Sequence, residues 1–175
     1  LVPLYYGIMG FRNSCFDNKL LESRSYNFPV ICVGNLNVGG TGKTPMIEYL
    51  IRLLENKYEV TTLSRGYGRR TKGFIIADKN ATPQLIGDEP YQFYQKFPNI
   101  LVTVGEDRRD AIESLIKEKR APKLLLLDDA FQHRAIQAGL TILLTEQSNL
   151  FSRDFYLPTG DLRDLKSRYK EADII

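Results

Sequence analysis

The most informative part of the chain for its architecture is PVICVGNLNVGGTGKTP, residues 29–45. It is a short apolar run that ends in a glycine-rich loop, after which Lys43 and Thr44 open a segment with helical spacing of apolar residues. An ordinary phosphate loop has Gly, four residues and Gly-Lys-Ser/Thr, which places Asn37 where the first glycine is expected. Asparagine tolerates left-handed backbone better than most residues, so this departure does not exclude a phosphate loop. The order of strand, loop and helix predicts a nucleotide-phosphate site.

The chemistry of this loop supports a ligand-binding function over a purely structural glycine loop. Gly39, Gly40 and Gly42 allow backbone N–H groups to converge on an anion, and the following helix adds the positive end of its dipole. Lys43 offers a mobile charge to the outer phosphates, and the Thr44 hydroxyl is suited to Mg²⁺. The residues expected to bind ATP are Asn37, Val38, Gly39, Gly40, Thr41, Gly42, Lys43 and Thr44.

The rest of the chain alternates apolar runs with amphipathic stretches, which predicts an α/β protein of the P-loop NTPase type, with a parallel sheet covered by helices on both faces. The expected strands are 30–34, 59–63, 100–104, 123–127, 140–144 and a last, shortened one at 172–175. The clearest helices are 44–56 and 107–119. Residues 66–78 lack a helical period, and their glycines predict a β-hairpin or flap.

Composition excludes several classes of protein. The chain has 175 residues, of which 43% are hydrophobic and 26% charged, as in soluble globular domains. The 24 basic and 21 acidic side chains give a net charge of +3, which is too even to indicate a nucleic-acid groove. Cys15 and Cys32 form no metal-ligand or disulfide pattern, which favours a reducing compartment.

The N-terminal segment, residues 1–28, is expected to be a helix and connector separate from the domain at 29–175. Its first eleven residues are apolar or aromatic, whereas a membrane-spanning helix needs about 20. As a helix, the segment places Leu4, Ile8 and Phe11 on one face, which suits either an interfacial helix or ordinary packing. The chain lacks an initial methionine and ends in a strand-like run, so we expect it to be part of a longer protein.

The stretch LLLLDDAFQHR, residues 124–134, predicts the metal-binding partner of the phosphate loop. Four leucines indicate a strand buried on both faces, and Asp128 and Asp129 then lie at its carboxyl end, where open α/β sheets bind ligands. A solvated turn is the alternative, but the phosphate loop independently requires such an acid. Gln132 and His133 follow closely, which makes them candidates for substrate contact.

The stretch GDEP, residues 87–90, allows two interpretations. Asp88 and Glu89 precede an aromatic, helical segment, so Asp88 is suited to capping that helix. The alternative is a general base or metal-linked acid. The residue types alone favour the cap.

Five strings together resemble the tetraacyldisaccharide 4′-kinases, the lipid A 4′-kinases of Gram-negative bacteria. They are GNLNVGGTGKTP (34–45), LSRGYGR (63–69), GDEP (87–90), LLLLDDAFQHR (124–134) and LPTGDLRD (157–164). The resemblance runs from about residue 30 to the end, and its order and spacing make it specific. In that family the first glycine of the phosphate loop is also replaced, which accounts for Asn37.

The resemblance implies an ATP- and Mg²⁺-dependent transfer of the γ-phosphate to the 4′-hydroxyl of a tetraacylated glucosamine disaccharide. It implies action at the cytoplasmic face of the inner membrane, with the N-terminal helix docked on that surface and no nucleic-acid or obligate protein partner. It also reverses the preference at Asp88, which matches the family's base for the sugar hydroxyl. The implied residues are Asp88, Lys43 and Asp129 in catalysis, Thr44, Glu89, Asp128 and Asp129 at the metal, and Arg65, Tyr67, Gln132, His133 and Asp164 at the substrate or lid.

Two departures from the family pattern and two rival functions remain at this stage. Asp164 stands where the family has glutamate, and the family's second lobe, with a histidine thought to pair with the Asp88 position, lies beyond this chain. We therefore expect the 175 residues alone to bind nucleotide weakly and to turn over poorly.

Two rival functions are a regulatory or metallochaperone-like P-loop GTPase, whose Asn/Thr-Lys-x-Asp motif is not found, and a noncatalytic nucleotide-gated adaptor.

Overall fold

A computed structural model describes residues 2–175 as helices packed around a six-stranded sheet. The helices are α1 (Val2–Asp17), α2 (Lys43–Leu54), α3 (Pro83–Ile86), α4 (Asp88–Lys96) and α5 (Arg108–Lys117), followed by a 3-10 helix (Lys166–Glu171). The strands are β1 (Val30–Asn35), β2 (Val60–Ser64), β3 (Ile75–Ile76), β4 (Leu101–Val104), β5 (Leu124–Asp128) and β6 (Leu140–Leu144).

The strand order places the phosphate loop beside the acid pair. The order is β3-β4-β2-β5-β1-β6, and every neighbouring pair is parallel except β3 with β4. β1 and β5 are adjacent, with Val33 opposite Asp128. The loop that follows β1 and the carboxylates that end β5 therefore open on the same edge of the sheet, as ligand sites of this architecture do.

Helices cover both faces of the sheet, as the alternating pattern predicted. On one face Ile47 and Ile51 of α2 and Phe93 of α4 pack against Leu124 and Leu126. On the other, Ala111 and Ile112 of α5 pack against Leu125 and Leu127. Because successive side chains of a strand point to opposite faces, the four consecutive leucines of β5 supply two to each core.

Two predicted elements differ in the structure. Residues 172–175 form no full strand, and only a parallel bridge joins Ile174 to Ile142 of β6. Residues 66–78 form a loop that returns to the sheet as the short edge strand β3, antiparallel to β4, instead of a β-hairpin. Glycines at positive φ, such as Gly66 and Gly73, turn this loop without a second pairing strand.

The N-terminal segment is helical, as expected, and its apolar stripe faces outward. Leu4, Ile8 and Phe11 are 65%, 57% and 74% exposed, whereas Asn13 on another side of α1 is buried. Within residues 2–175, no helix combines the length and apolar character needed to cross a bilayer. Cys15 and Cys32 are both free thiols.

Candidate active site

The phosphate loop is open above its glycines. Gly39 and Gly42 have φ of 117° and 85°, which favours glycine at both positions. A Cβ added at Gly39, Gly40 or Gly42 would meet no atom of the described residues within 4 Å. Gly42 also caps α2 without help from any described side chain, so the N–H groups of the first turn face this open space. This geometry fits an anion-binding loop.

Asn37 holds the loop through a hydrogen bond instead of through left-handed backbone. It has no positive φ, so its expected tolerance of that conformation is not what the site uses. Its buried amide Nδ2 donates to Asp154 Oδ2 at 2.5 Å, and the N–H of Val38 donates to the carbonyl of Asp161 at 2.7 Å. A glycine at position 37 could not make the side-chain bond.

Lys43 folds back over the loop toward the acid pair. Its Nζ lies 3.2 Å from the carbonyl oxygen of Gly39, 3.3 Å from Asn35 Oδ1 and 3.8 Å from Asp129 Oδ1. The amine thus lies between the loop and the end of β5, within reach of an anion bound to the loop.

The two aspartates of the acid pair have opposite electrostatic environments. Asp128 is 3% exposed and accepts a bond from Ser64 Oγ at 3.2 Å. Burial, reinforced by the charges of Glu89 and Asp129, raises the pKa of Asp128 to about 6. Burial also acts to raise the pKa of Asp129, but Arg163, which grips both of its oxygens, and Lys43 outweigh burial and lower it. Asp129 therefore carries the more stable negative charge.

The GDEP acids are not a helix cap. The N-cap of α4 is Gly87, with φ of 92°, and Asp88 and Glu89 occupy the first turn, so the capping interpretation of Asp88 is wrong. Glu89 Oε1 accepts a hydrogen bond from Thr44 Oγ1 at 2.9 Å. Asp88 is exposed and its side chain makes no hydrogen bond within residues 2–175, so its carboxylate is free to meet a ligand.

The residues present fit a magnesium ion that is shared with a nucleotide. Within residues 2–175, no three His, Cys, Asp or Glu side chains form a ready-made metal cluster. Mg²⁺ is usually held by one or two carboxylates together with substrate phosphates and water, and oxygen is its preferred ligand atom. Burial first, and then the charges of Glu89 and Asp129, raise the pKa of Asp128, and a bound cation would favour its charged form.

Four of the expected substrate or lid residues lie around the same sheet edge. Arg65 is exposed just after β2, and Tyr67 is 88% exposed between two glycines with positive φ, Gly66 and Gly68. Gln132 Nε2 donates to the carbonyl of Asn35 at 2.8 Å. His133 Nε2 accepts from the N–H of Arg108 at 3.3 Å, and burial followed by the Arg108 charge lowers the pKa of His133.

Asp164, the fifth of them, is instead completely buried beneath α1. Its carboxylate accepts from Asn13 Nδ2 at 2.9 Å and pairs with Arg168. These contacts explain an acid at this position without a substrate.

Sequence reasoning did not identify four residues that shape the site. Asn35 and Ser64 end β1 and β2, and polar residues at the carboxyl ends of buried strands were a usable signal. Arg163 lies in a motif that was recognised but whose arginine was not assigned. Asp154 had no sequence signal, since it meets Asn37 only through the folding of a distant loop.

The open glycine loop, the lysine and threonine that begin α2 and the acid pair of the adjacent strand define a P-loop nucleotide-binding α/β protein. The model of the tetraacyldisaccharide-1-P 4′-kinase family matches residues 1–175, and the chain belongs to this family. The expected family resemblance is thereby confirmed.

Individual relatives agree with this assignment. The chain is 55% identical over 172 residues to a tetraacyldisaccharide 4′-kinase of Flavobacterium psychrophilum, covering 98% of the chain and 50% of the relative. It is 51% identical to the corresponding protein of Parabacteroides distasonis, covering 97% of the chain and 47% of the relative. The crystal structure of LpxK from Aquifex aeolicus in complex with ATP matches with a TM-score of 0.89 and 39% identity, over 98% of this chain and 55% of that one. The chain thus spans about half the length of the relatives that it matches.

Proposed function

We propose that this chain forms the ATP-binding part of a kinase that transfers the γ-phosphate to the 4′-hydroxyl of a tetraacylated glucosamine disaccharide. The observation that carries the proposal is the convergence of Lys43, the Thr44–Glu89 pair and the acid pair on one open glycine loop. The family to which the chain belongs supports the choice of acceptor. It also favours a kinase over the regulatory GTPase and the nucleotide-gated adaptor considered above.

ATP is proposed to bind on residues 37–44. The free N–H groups at the start of α2 would cradle its phosphates, and Lys43, now facing Asp129 at 3.8 Å, would neutralise the outer ones. The ATP named with the Aquifex aeolicus structure supports ATP as the nucleotide. A competition measurement in which GTP displaces ATP equally well would argue against this assignment.

Mg²⁺ is proposed to be held by Thr44, Glu89, Asp128 and Asp129 together with phosphate oxygens. The bound ion would neutralise charge on the transferred phosphoryl group. Asp128 contributes most here, because its buried carboxylate lacks a cationic hydrogen-bond partner among the described residues, whereas Arg163 already holds Asp129.

Asp88 is proposed to be the general base. Two observations support this: Asp88 directly precedes Glu89, which accepts a bond from Thr44, and Asp88 itself is exposed. The 4′-oxygen forms a bond to the γ-phosphorus while the bond from that phosphorus to the bridging oxygen breaks and ADP leaves. The proton of the hydroxyl passes to the Asp88 carboxylate.

The acylated disaccharide is proposed to reach the site from the membrane. Arg65, Tyr67, Gln132 and His133 surround the edge at which the acids lie and would contact the sugar or close over it. Residues 1–28 would form the membrane-associating segment and 29–175 the kinase domain. The exposed Leu4, Ile8 and Phe11 would enter the cytoplasmic face of the inner membrane.

Asp88→Asn in the full-length protein tests the catalytic assignment. We expect kcat to fall by about 10² to 10⁴-fold while ATP affinity changes little, because the amide cannot accept the proton. Asp110→Asn is the matched control, since Asp110 is also an exposed acid in the first turn of a helix. An unchanged kcat in Asp88→Asn would rule out the general-base role.

Liposome flotation tests the membrane assignment. Replacing Leu4, Ile8 and Phe11 by serine should reduce binding to vesicles that contain anionic lipid, because each side chain would otherwise bury apolar surface. Replacing the exposed Leu53 and Ile116 on other helices is the control. Equal flotation of the triple variant and the parent would contradict this part of the proposal.

A further inference from the structure

Residues 161–164 run beside the start of the phosphate loop. The N–H of Val38 donates to the carbonyl of Asp161 at 2.7 Å, and the N–H of Arg163 donates to the carbonyl of Leu36 at 2.9 Å. Asn37 and Leu162 form an antiparallel bridge between these two bonds. We call residues 161–164 the bridging segment, because its backbone is attached to the loop that is proposed to bind ATP.

Neighbouring side chains of the bridging segment reach in different directions. The guanidinium of Arg163 grips Asp129 and donates to Asn35 Oδ1 at 2.5 Å, at the site. The next side chain, Asp164, is buried beneath α1, where it meets Asn13 and Arg168. A shift of the backbone at this segment therefore moves the partner of Asp129.

Helix α1 holds the bridging segment at two points. Asn13, which is 4% exposed, donates from Nδ2 to Asp164 Oδ1 at 2.9 Å. Tyr5 Oη donates to the carbonyl of Arg163 at 2.9 Å. The first bond fixes a side chain and the second fixes the backbone of the preceding residue. Loss of the Asn13 donor would leave a buried carboxylate oxygen with one partner fewer, which is costly in a site that excludes water.

We infer that Asn13 is a positioning residue for the site: through Asp164 it fixes the segment from which Arg163 orients Asp129. This inference rests on the phosphoryl transfer proposed above. The two sides of α1 thus have separate roles. The exposed Leu4, Ile8 and Phe11 would contact the membrane, whereas Asn13 would set the orientation of Asp129 through the bridging segment.

Asn13→Leu in the full-length protein tests the inference, with Asn18→Leu as the matched control. Leucine has the same branching and number of heavy side-chain atoms as asparagine, although its methyl groups are larger and cannot donate, and the Asn18 amide bonds only to Ser14 one turn away. We expect kcat to fall about tenfold in Asn13→Leu, which corresponds to about 1.4 kcal/mol, while KM for the lipid and vesicle binding stay at parental values. Asn18→Leu should match the parent in all three.

A reciprocal exchange separates positioning from a merely structural role. Asn13→Asp alone places two carboxylates in contact and should lower kcat, whereas Asn13→Asp combined with Asp164→Asn restores an N–H donor and an oxygen acceptor. The double variant should recover part of the kcat lost in Asn13→Asp, since it restores the amide bond although Arg168 keeps only Glu171 as a charged partner. If the Asn13 variants do not fold, Tyr5→Phe, which removes only the hydroxyl, should still lower kcat without changing KM for the lipid.

Several results would overturn the inference. They are a parental kcat in folded Asn13→Leu, an equal loss in Asn18→Leu, a folded exchange variant without recovery, and an unchanged kcat in Tyr5→Phe. The parent is measured first. If it transfers no phosphate from ATP to the disaccharide, the proposed function fails, and that result is distinct from any effect of Asn13.

Discussion

Thr44 Oγ1 donates a hydrogen bond to Glu89 Oε1 at 2.9 Å and so ties the first turn of α2 to the first turn of α4. The two residues are separated by 45 positions, and the contact brings the GDEP acids to the phosphate loop. Through this contact Glu89 belongs to the same site as Lys43, which directly precedes Thr44.

Glu89→Gln should weaken magnesium binding without loosening this contact. The glutamine oxygen can still accept from Thr44, but the negative charge is lost, so the Mg²⁺ concentration for half-maximal activity should rise about five- to tenfold. Magnesium titration of the ATPase or kinase rate measures this. Glu118→Gln on the exposed end of α5 is the control, and an unchanged Mg²⁺ requirement in Glu89→Gln would exclude Glu89 from the metal site.

Asp128→Asn should stabilise the metal-free protein at neutral pH while abolishing the Mg²⁺-dependent rate. Burial and the charges of Glu89 and Asp129 raise the pKa of Asp128 from 3.8 to about 6, so the folded state binds this proton more tightly than the unfolded state does. The contribution of this proton to the free energy of unfolding is fully present below pH 3.8. It is lost as the pH rises through about 6. Two pKa units correspond to about 3 kcal/mol.

The measurement is urea unfolding of Asp128→Asn and the parent at pH 4 and pH 7.5, without Mg²⁺. The stability advantage of the variant should appear at pH 7.5 and be small at pH 4. A loss of stability of equal size at both pH values would show instead that the carboxylate is needed for packing. Magnesium binding to the parent should weaken as the pH falls below about 6, because protonation of Asp128 removes a ligand.

Asn37→Gly should weaken the phosphate loop although it restores the usual glycine. The change removes the bond to the Asp154 carboxylate and adds backbone freedom, for an expected loss of about 1–3 kcal/mol in stability together with poorer ATP binding. Chemical denaturation and ATP titration measure the two effects, with the exposed turn residue Asn99→Gly as the control. Tighter ATP binding at unchanged stability would contradict the role given to Asn37.

Gly34→Ala and Gly10→Ala should have opposite effects on stability. A Cβ at Gly34 would lie 2.6 Å from Phe131 Cβ and 2.9 Å from its backbone nitrogen, so β1 or the segment after β5 must shift, at an expected cost of about 1–3 kcal/mol. A Cβ at Gly10, within α1, meets nothing within 4 Å of the described residues and should add up to about 1 kcal/mol. Thermal unfolding of both variants checks the pair, and equal changes would show that strand packing at Gly34 is not tight.

Local patterns account for the parts of the fold that were predicted correctly. The apolar run of β5 identified a strand buried on both faces, and the spacing in α2 identified the helix after the loop. Of the two alternatives predicted for residues 66–78, a β-hairpin or a flap, the hairpin is not formed, because turn-forming glycines show that a chain bends but do not show whether its two arms pair with each other. Here the second arm pairs with β4 instead.

The phosphate loop, the acid pair and the family could be predicted from the chain alone, because glycine freedom, helical period and strand burial are local properties. Three contacts of the site became known only from the folded molecule: Asn37 binds Asp154, Arg163 donates to Asp129, and Asp164 lies buried against Asn13. These pairs are separated by 117, 34 and 151 positions. Contacts of that range depend on which strands are neighbours and on where the loops at their ends meet, and no local period encodes either.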